Sequence, residues 1–286
     1  MPDVDRELLA MRQAVLLGAR GLGTTSPNPP VGCVVLGPGG EVVGTGFHER
    51  KGSPHAEGMA LSSAGERARG GTAVVTLEPC NHAGRTPACR QLLLDAGIAR
   101  VVIGVLDPTS RGEGGAAVLR AAGVDVQVGL LADEARLVLA PWLRALELRR
   151  PLVTWLTELR DEGFLPAPAD LLEDVRRGHD AVLLPGGRVV EGIPDGHGHG
   201  AFQLPECVAR LDAAALLDAA YAGGTRTLLL AGGHGEAREF LDAAVVDRLL
   251  VLDNRHACTH TPQELRGYEL ERVRRWSKGL LAEFAH

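Results

Sequence analysis

Two apolar periods alternate along the first half of the chain. Behind Asp3 and Asp5, either of which can cap a helix, Leu8, Leu9, Ala14, Val15 and Leu16 recur at helical spacing. Strand-like runs over 31–36 and 41–47 flank Gly37-Pro38-Gly39-Gly40, which predicts a hairpin with a glycine-rich turn. A helix follows His55 through Met59, Ala60 and Leu61. Beyond it the pattern predicts strands over 73–77, 101–105 and 124–128, helices over 87–96 and 115–122, and a closing helix over 131–148. Strands that are apolar throughout and separated by helices are expected to pair in parallel. The first half therefore reads as a three-layer α/β/α domain.

The second half is also α/β, with strands predicted over 152–156, 181–184, 227–230 and 249–252. Glycine, proline and histidine crowd residues 186–200, which predicts an exposed loop. A length of 286 residues suits two domains, and Arg149-Arg150 before Pro151 marks the expected boundary, giving domains over 1–148 and 149–286.

Composition narrows the function. The 36 acidic residues exceed the 30 basic ones, for a formal charge of −6, and aromatics make up only 3%. Neither suits a nucleic-acid binder, which needs clustered cations and stacking platforms. The chain lacks 18 consecutive apolar residues, so no membrane span is expected. Its acidic start, without the basic and apolar regions of a signal peptide, points to a cytoplasmic protein. Five cysteines are too few and odd in number for a disulfide scaffold, so clustered Cys and His read as metal ligands or catalytic groups.

One constellation carries such chemistry: His55-Ala56-Glu57, then Glu78-Pro79-Cys80, then Cys89. Catalytic zinc takes three protein ligands, imidazole and thiolate among the preferred ones, and leaves one position open. His55, Cys80 and Cys89 supply the three, and Glu57 stands near enough to move protons without ligating. Zinc deaminases carry H-x-E followed by P-C-x-x-C. Here the first half matches, whereas eight residues separate the cysteines, so a loop has to fold back. Thr86 as N-cap and Pro87 as first helical residue would put Cys89 in a first turn, where the helix dipole favours a thiolate. That loop brings His82 and Arg85 towards the metal. Taken singly, Cys80 and Cys89 read as core thiols and His55 as a surface group; taken together with Glu57, the zinc reading leads.

At these residues the chain resembles a known family. His55-Ala56-Glu57, residues 76–89, Asn28-Pro29-Pro30-Val31-Gly32 and Gly46-Phe47-His48 resemble the deaminase domain of bifunctional riboflavin-biosynthesis proteins, over about residues 6–150. Those proteins deaminate a diaminohydroxy-phosphoribosylamino-pyrimidine and then reduce its ribose with NADPH. The resemblance implies a cytidine-deaminase-like α/β/α domain followed by a dihydrofolate-reductase-like α/β domain. It makes His55, Cys80 and Cys89 zinc ligands, Glu57 the proton shuttle, and Asn28, His48, His82 and Arg85 contacts of a phosphoribosylated pyrimidine. For Arg85 the physics agrees, since a guanidinium binds phosphate through paired donors. Two departures stand out: Ala88 replaces a second proline, and Asp107-Pro108-Thr109-Ser110 replaces Asp-Pro-Asn-Pro.

The second half departs further. Residues 151–155, 174–183, 227–233 and 240–247 resemble the family's reductase, yet its early lysine appears as Leu156 and its Ser-Leu-Asp-Gly as Arg160-Asp161-Glu162-Gly163. The following glycine-serine-tryptophan segment is missing, and Ala231 replaces the acid of Glu-Gly-Gly. Gly232-Gly233 fails the G-x-G-x-x-G fingerprint and can equally be a tight strand–helix turn. The expectation is a reduced, reductase-like domain without NADPH chemistry, through which the chain forms a homo-oligomer. A fully bifunctional enzyme, a deaminase of another pyrimidine and a non-catalytic assembly partner are the alternatives. His197-Gly198-His199-Gly200 reads as surface loop, Cys33 as core, the basic run 272–278 as a solvated helix face, and Cys207 and Cys258 receive no role.

Overall fold

Apolar runs and glycine punctuation give ten elements in the first half of a computed structural model. It describes residues 3–82, 87–110, 112–198, 203–204, 212–255, 262–277 and 279–286. In order they are α1 (Asp3–Gly18), β1 (Gly32–Leu36), β2 (Val42–Phe47), α2 (Ala56–Ala64), β3 (Thr72–Leu77), α3 (Cys89–Asp95), β4 (Arg100–Val105), α4 (Gly114–Ala121), β5 (Asp125–Val128) and α5 (Ala132–Leu148). Two compact units divide at Ala140/Pro141, inside α5. Helix α1 is already under way at Asp3, so Asp5 lies within it rather than capping it.

The first sheet has the order β2-β1-β3-β4-β5. It is mixed, not parallel as expected: β1 runs antiparallel to both β2 and β3, while β3, β4 and β5 run parallel. The turn at 37–40 makes β1 and β2 a hairpin. The α2 crossover then passes over β1, so only the strands joined by later helices obey the parallel rule. Three layers result. Ala10, Met11 and Ala14 of α1 bury against Val34, Val74 and Val102 on one face. Helix α2 covers the opposite face of β1 and β2, where Gly44 and Gly46 let it sit down: a Cβ there would lie 2.2 Å from the Ala60 carbonyl and 2.4 Å from that of Ala56. Those glycines fix the depth at which the start of α2 meets the sheet.

The second unit contains β6 (Leu152–Arg160), β7 (Gly163–Pro166), α6 (Ala169–Arg176), β8 (Ala181–Leu184), β9 (Arg188–Glu191), α7 (Ala213–Ala222), β10 (Thr227–Leu230), α8 (His234–Asp242), β11 (Arg248–Asp253), β12 (Glu269–Trp276) and β13 (Gly279–Ala285). Its sheet runs β12-β13-β11-β6-β10-β8-β9, with β7 also paired to β6. Val153, Trp155 and Leu228 pack on α7 and α8. Leu156, Val182 and Leu229 pack on α6 from the other side.

Three expectations fail here for physical reasons. The basic run is a strand, β12, not a helix face. Leu270 and Val273 share a face of the strand although three apart, as on a helix, because a bulge between Leu270 and Arg272 shifts the period-two alternation by one residue. The segment 186–200 is not all loop, since β9 lies within it. His197 is fully buried rather than superficial, its Nε2 3.4 Å from Asp180 Oδ1. The other Asp180 oxygen accepts the Arg226 and Thr227 amides, so this carboxylate draws the ring inward. His199 and Gly200, like Cys207 and Cys258, lie outside the described residues. Cys33 is fully buried in the first core, as expected. Among the described residues, no helix is long and apolar enough to cross a membrane.

Candidate active site

Two strand–helix junctions of the first unit, β2–α2 and β3–α3, converge. His55 occupies the N-cap position of α2 in extended conformation, and its side chain makes no capping bond, which leaves the ring directed away from its own helix. Glu57 lies in the first turn of α2 and is only 3% exposed. Cys80 follows β3, and Cys89 opens α3 behind the N-cap Ala88. Pro87 therefore precedes the cap rather than starting the helix, and Thr86 lies outside the described residues. The long gap does fold back: Cys80 Sγ accepts the Cys89 amide at 3.3 Å, and the Cys80 carbonyl accepts that of Arg90 at 3.4 Å.

His55 Nδ1 is the nitrogen aimed at both sulfurs, 3.2 Å from Cys89 Sγ and 3.8 Å from Cys80 Sγ. All three donor atoms lie within 4.8 Å of one another. Zinc holds thiolate sulfur at about 2.3 Å and imidazole nitrogen at about 2.0 Å, so tetrahedral ligand atoms sit about 3.5–3.8 Å apart. The cluster fits such an ion. Its electrostatics also suit one. Hydrogen bonding from the Cys89 thiol, followed by that from His55, outweighs burial and pulls the Cys80 thiol down to about 4. Cys89 moves up, because it holds the proton that the two sulfurs share and because it is buried. The Cys80 sulfur raises His55. Burial pushes the Glu57 carboxyl above the usual carboxylate range, with the Cys89 sulfur among its neighbours.

A further acid holds the cysteine segment in place, and sequence reasoning gave it no role. Buried Glu78 accepts the Ala116 amide at 2.9 Å and the Asp107 amide at 3.2 Å. It thereby ties the end of β3 to the start of α4, where a carboxylate also meets the helix dipole. Gly115 permits the approach, since a Cβ there would lie 1.9 Å from the Pro79 carbonyl. The signal was present as an acid directly before Pro79-Cys80 and a distant Gly114-Gly115 pair.

The expected substrate contacts are not equivalent. His48 is buried and spends both ring nitrogens internally: Nδ1–H donates to the Pro54 carbonyl at 3.1 Å, and Nε2 accepts the Asn28 amide at 3.1 Å. Burial lowers its pKa to about 4, so the ring is neutral. Its ring stands edge-on to that of His55, with centroids 5.2 Å apart. His48 thus orients Asn28 and His55. His82 is exposed beside the cluster, with its carbonyl 3.8 Å from Cys80 Sγ. Arg85 lies outside the described residues. Thr109 is exposed and bonds locally, its hydroxyl and amide both donating to Asp107 Oδ1, so this departure from the family pattern serves a local turn.

The glycine turn of the second unit is closely packed. A Cβ on Gly233 would lie 3.2 Å from the Phe164 carbonyl and 3.3 Å from Pro166 Cδ, so β7 packs directly on the turn. The Gly232 carbonyl accepts the Trp155 indole N–H at 2.8 Å. Glu236 occupies the first turn of α8, with its side chain against Gly232. An acid there opposes the anion that a helix start would otherwise attract.

Comparison with known proteins agrees with the geometry. Residues 5–105 match the family described as the cytidine and deoxycytidylate deaminase zinc-binding region. The riboflavin biosynthesis protein RibD of Corynebacterium ammoniagenes is 35% identical over 282 residues, covering 85% of this chain and 84% of that protein. The diaminohydroxyphosphoribosylamino-pyrimidine deaminase of Buchnera aphidicola is 47% identical over 131 residues, covering 46% of this chain and 88% of that one. Against several other RibD proteins the match spans roughly a third to two fifths of their length. The crystal structure of a diaminohydroxyphosphoribosylaminopyrimidine deaminase/5-amino-6-(5-phosphoribosylamino)uracil reductase from Thermotoga maritima shares the fold, with a TM-score of 0.78 over 99% of both chains at 24% identity.

Proposed function

Because the chain belongs to the RibD family of riboflavin-biosynthesis proteins, we propose that its first unit is a zinc-dependent hydrolase removing ammonia from a diaminohydroxyphosphoribosylaminopyrimidine. The observation that carries this reading is the cluster of His55, Cys80 and Cys89 beside a buried carboxyl. Those three residues would hold the metal, and bound zinc supplies the Lewis acidity that brings a water's ionisation to about pH 7. Glu57 handles the protons. It takes one from the attacking water and gives it to the ring nitrogen beside the amino-bearing carbon. It then delivers another to the departing amine. A C–O bond replaces the C–N bond and ammonia leaves. A carboxyl whose pKa burial has raised holds and releases protons more evenly near neutrality than an exposed one. Asn28 and His82 flank the pyrimidine, His48 acts through Asn28, and Arg85 takes the phosphate.

The second unit is a scaffold without NADPH chemistry and a body for self-association. Support comes from the packed glycine turn, from Glu236 at the start of α8, and from Leu156, Arg160 and Ala231 where the family's reductase has other residues. Ammonia release from this pyrimidine, compared with its dephosphorylated form, tests the reading. Release that requires zinc and falls without the phosphate is expected. A zinc-loaded protein inert on this substrate but active on another aminopyrimidine would overturn the substrate assignment.

A further inference from the structure

Eight residues separate Cys80 from Cys89, so the two sulfurs are carried by the ends of a loop rather than by one helical turn. Closing such a loop costs chain entropy, which weakens metal binding unless the fold has already closed it. Three hydrogen bonds lace the ends together. The Cys89 amide donates to Cys80 Sγ at 3.3 Å, and the Arg90 amide donates to the Cys80 carbonyl at 3.4 Å. Arg90 Nε–H then donates to Asn81 Oδ1. The donors of the first two bonds are backbone amides, which every residue but proline carries. The third depends on two particular side chains, each directly after a cysteine of the cluster.

Arg90 stands where helix physics disfavours it. It is the second residue of α3, whose first turn holds no acid, and a cation there opposes the helix dipole. Among the described residues its side-chain bonds reach amide oxygens, not carboxylates. Besides Asn81, Nη1–H meets Gln91 Oε1 at 3.5 Å, and Gln91 Nε2 in turn donates to Asp95 Oδ1 at 2.8 Å. A base that breaks a local rule without a neutralising partner is expected where function compensates. Asn81 is half-buried as well, and a Cβ on Gly112 would lie 3.9 Å from its amide nitrogen. Its side chain is thus held between α3 and the segment that leads into α4. Through the peptide bond to Cys80, this fixes how the first sulfur leaves the end of β3.

We propose that Arg90 is a positioning residue for the metal: through Asn81 it clasps the two cysteines at the spacing of a single ion. The inference rests on the reading of His55, Cys80 and Cys89 as a zinc site, and adds a residue outside that set. Zinc dissociation constants of the full chain, measured by competition with a chromogenic chelator, test it. R90A is expected to bind zinc about tenfold more weakly, the low end of what partners of metal ligands contribute. N81A keeps the guanidinium charge and should lose as much, which separates a clasp from a general attraction between a cation and thiolates. The double variant R90A/N81A should bind no more weakly than either single one, since both remove the same bond. R90K keeps a donor and should recover most of the affinity. A wild-type chain that binds no zinc would sink the metal reading, and this inference with it. A wild type that binds zinc while R90A binds it as tightly would overturn this inference alone. So would losses in R90A and N81A that multiply in the double variant.

Discussion

The two units place a strand–helix junction at the same kind of position, the carboxyl end of a strand in a parallel pair, and use it in opposite ways. After β3 the chain makes a long excursion before α3, and the junction gathers two sulfurs, an imidazole and a buried carboxyl. After β10 the chain turns at once through Gly232-Gly233 into α8, and the junction fills with protein: Trp155, Phe164, Pro166 and Glu236. Such ends are where open α/β sheets bind ligands. On the proposed reading, position alone does not make a site. What decides is whether the polar groups there face one another across a ligand-sized gap or are consumed by the fold.

Several variants would break or sharpen that contrast. Glu57→Gln removes the proton carrier and leaves the three ligands, so zinc content should stay at about one per chain while turnover falls by about 10²–10⁴-fold. Cys89→Ser should lower both metal content and ammonia release, with added zinc giving partial recovery at best; metal analysis beside an ammonia assay separates it from Glu57→Gln. Glu78→Ala leaves the Ala116 and Asp107 amides without their acceptor. It should cost about 1–3 kcal/mol of first-unit stability in denaturant titration, with a smaller fall in activity. The smallest effect belongs to the second unit. Burial lowers the pKa of His179, whose Nδ1–H donates to the Val175 carbonyl, with Asp180 raising it and Arg248 lowering it by lesser amounts. The unfolded chain takes up this proton at about pH 6.5, before the folded one does. The stability from this residue is thus complete above about pH 6.5 and declines as the pH falls below it. Unfolding midpoints at about pH 7.5 and about pH 5.5 should lie further apart in wild type than in His179→Gln.

The cluster of His55, Cys80 and Cys89 was legible because its signal is local and chemical: a histidine and an acid two apart, then Pro79-Cys80, then Cys89. The fold class followed from apolar runs between helices. Strand direction did not, since periodicity says nothing of which strand a crossover skips, and β1 ended antiparallel to both neighbours. Strand β12 was hidden in part by its bulge, which puts Leu270 and Val273 on one face at a spacing of three. The roles of Glu78 and His197 were not legible because their partners, the Ala116 amide and Asp180, are distant in sequence. His48 was expected to reach the substrate, yet the structure commits its nitrogens to Pro54 and Asn28. Short-range chemistry shows in a sequence; who accepts whose hydrogen bond across the fold does not.

The contrast between an open junction and a filled one meets its most direct test in a single cuvette. Zinc-loaded protein, the phosphoribosylated diaminopyrimidine and NADPH are combined, and ammonia and NADPH absorbance are followed together. One ammonia released per substrate with NADPH unchanged is the predicted result. NADPH consumed in step with ammonia would contradict the account.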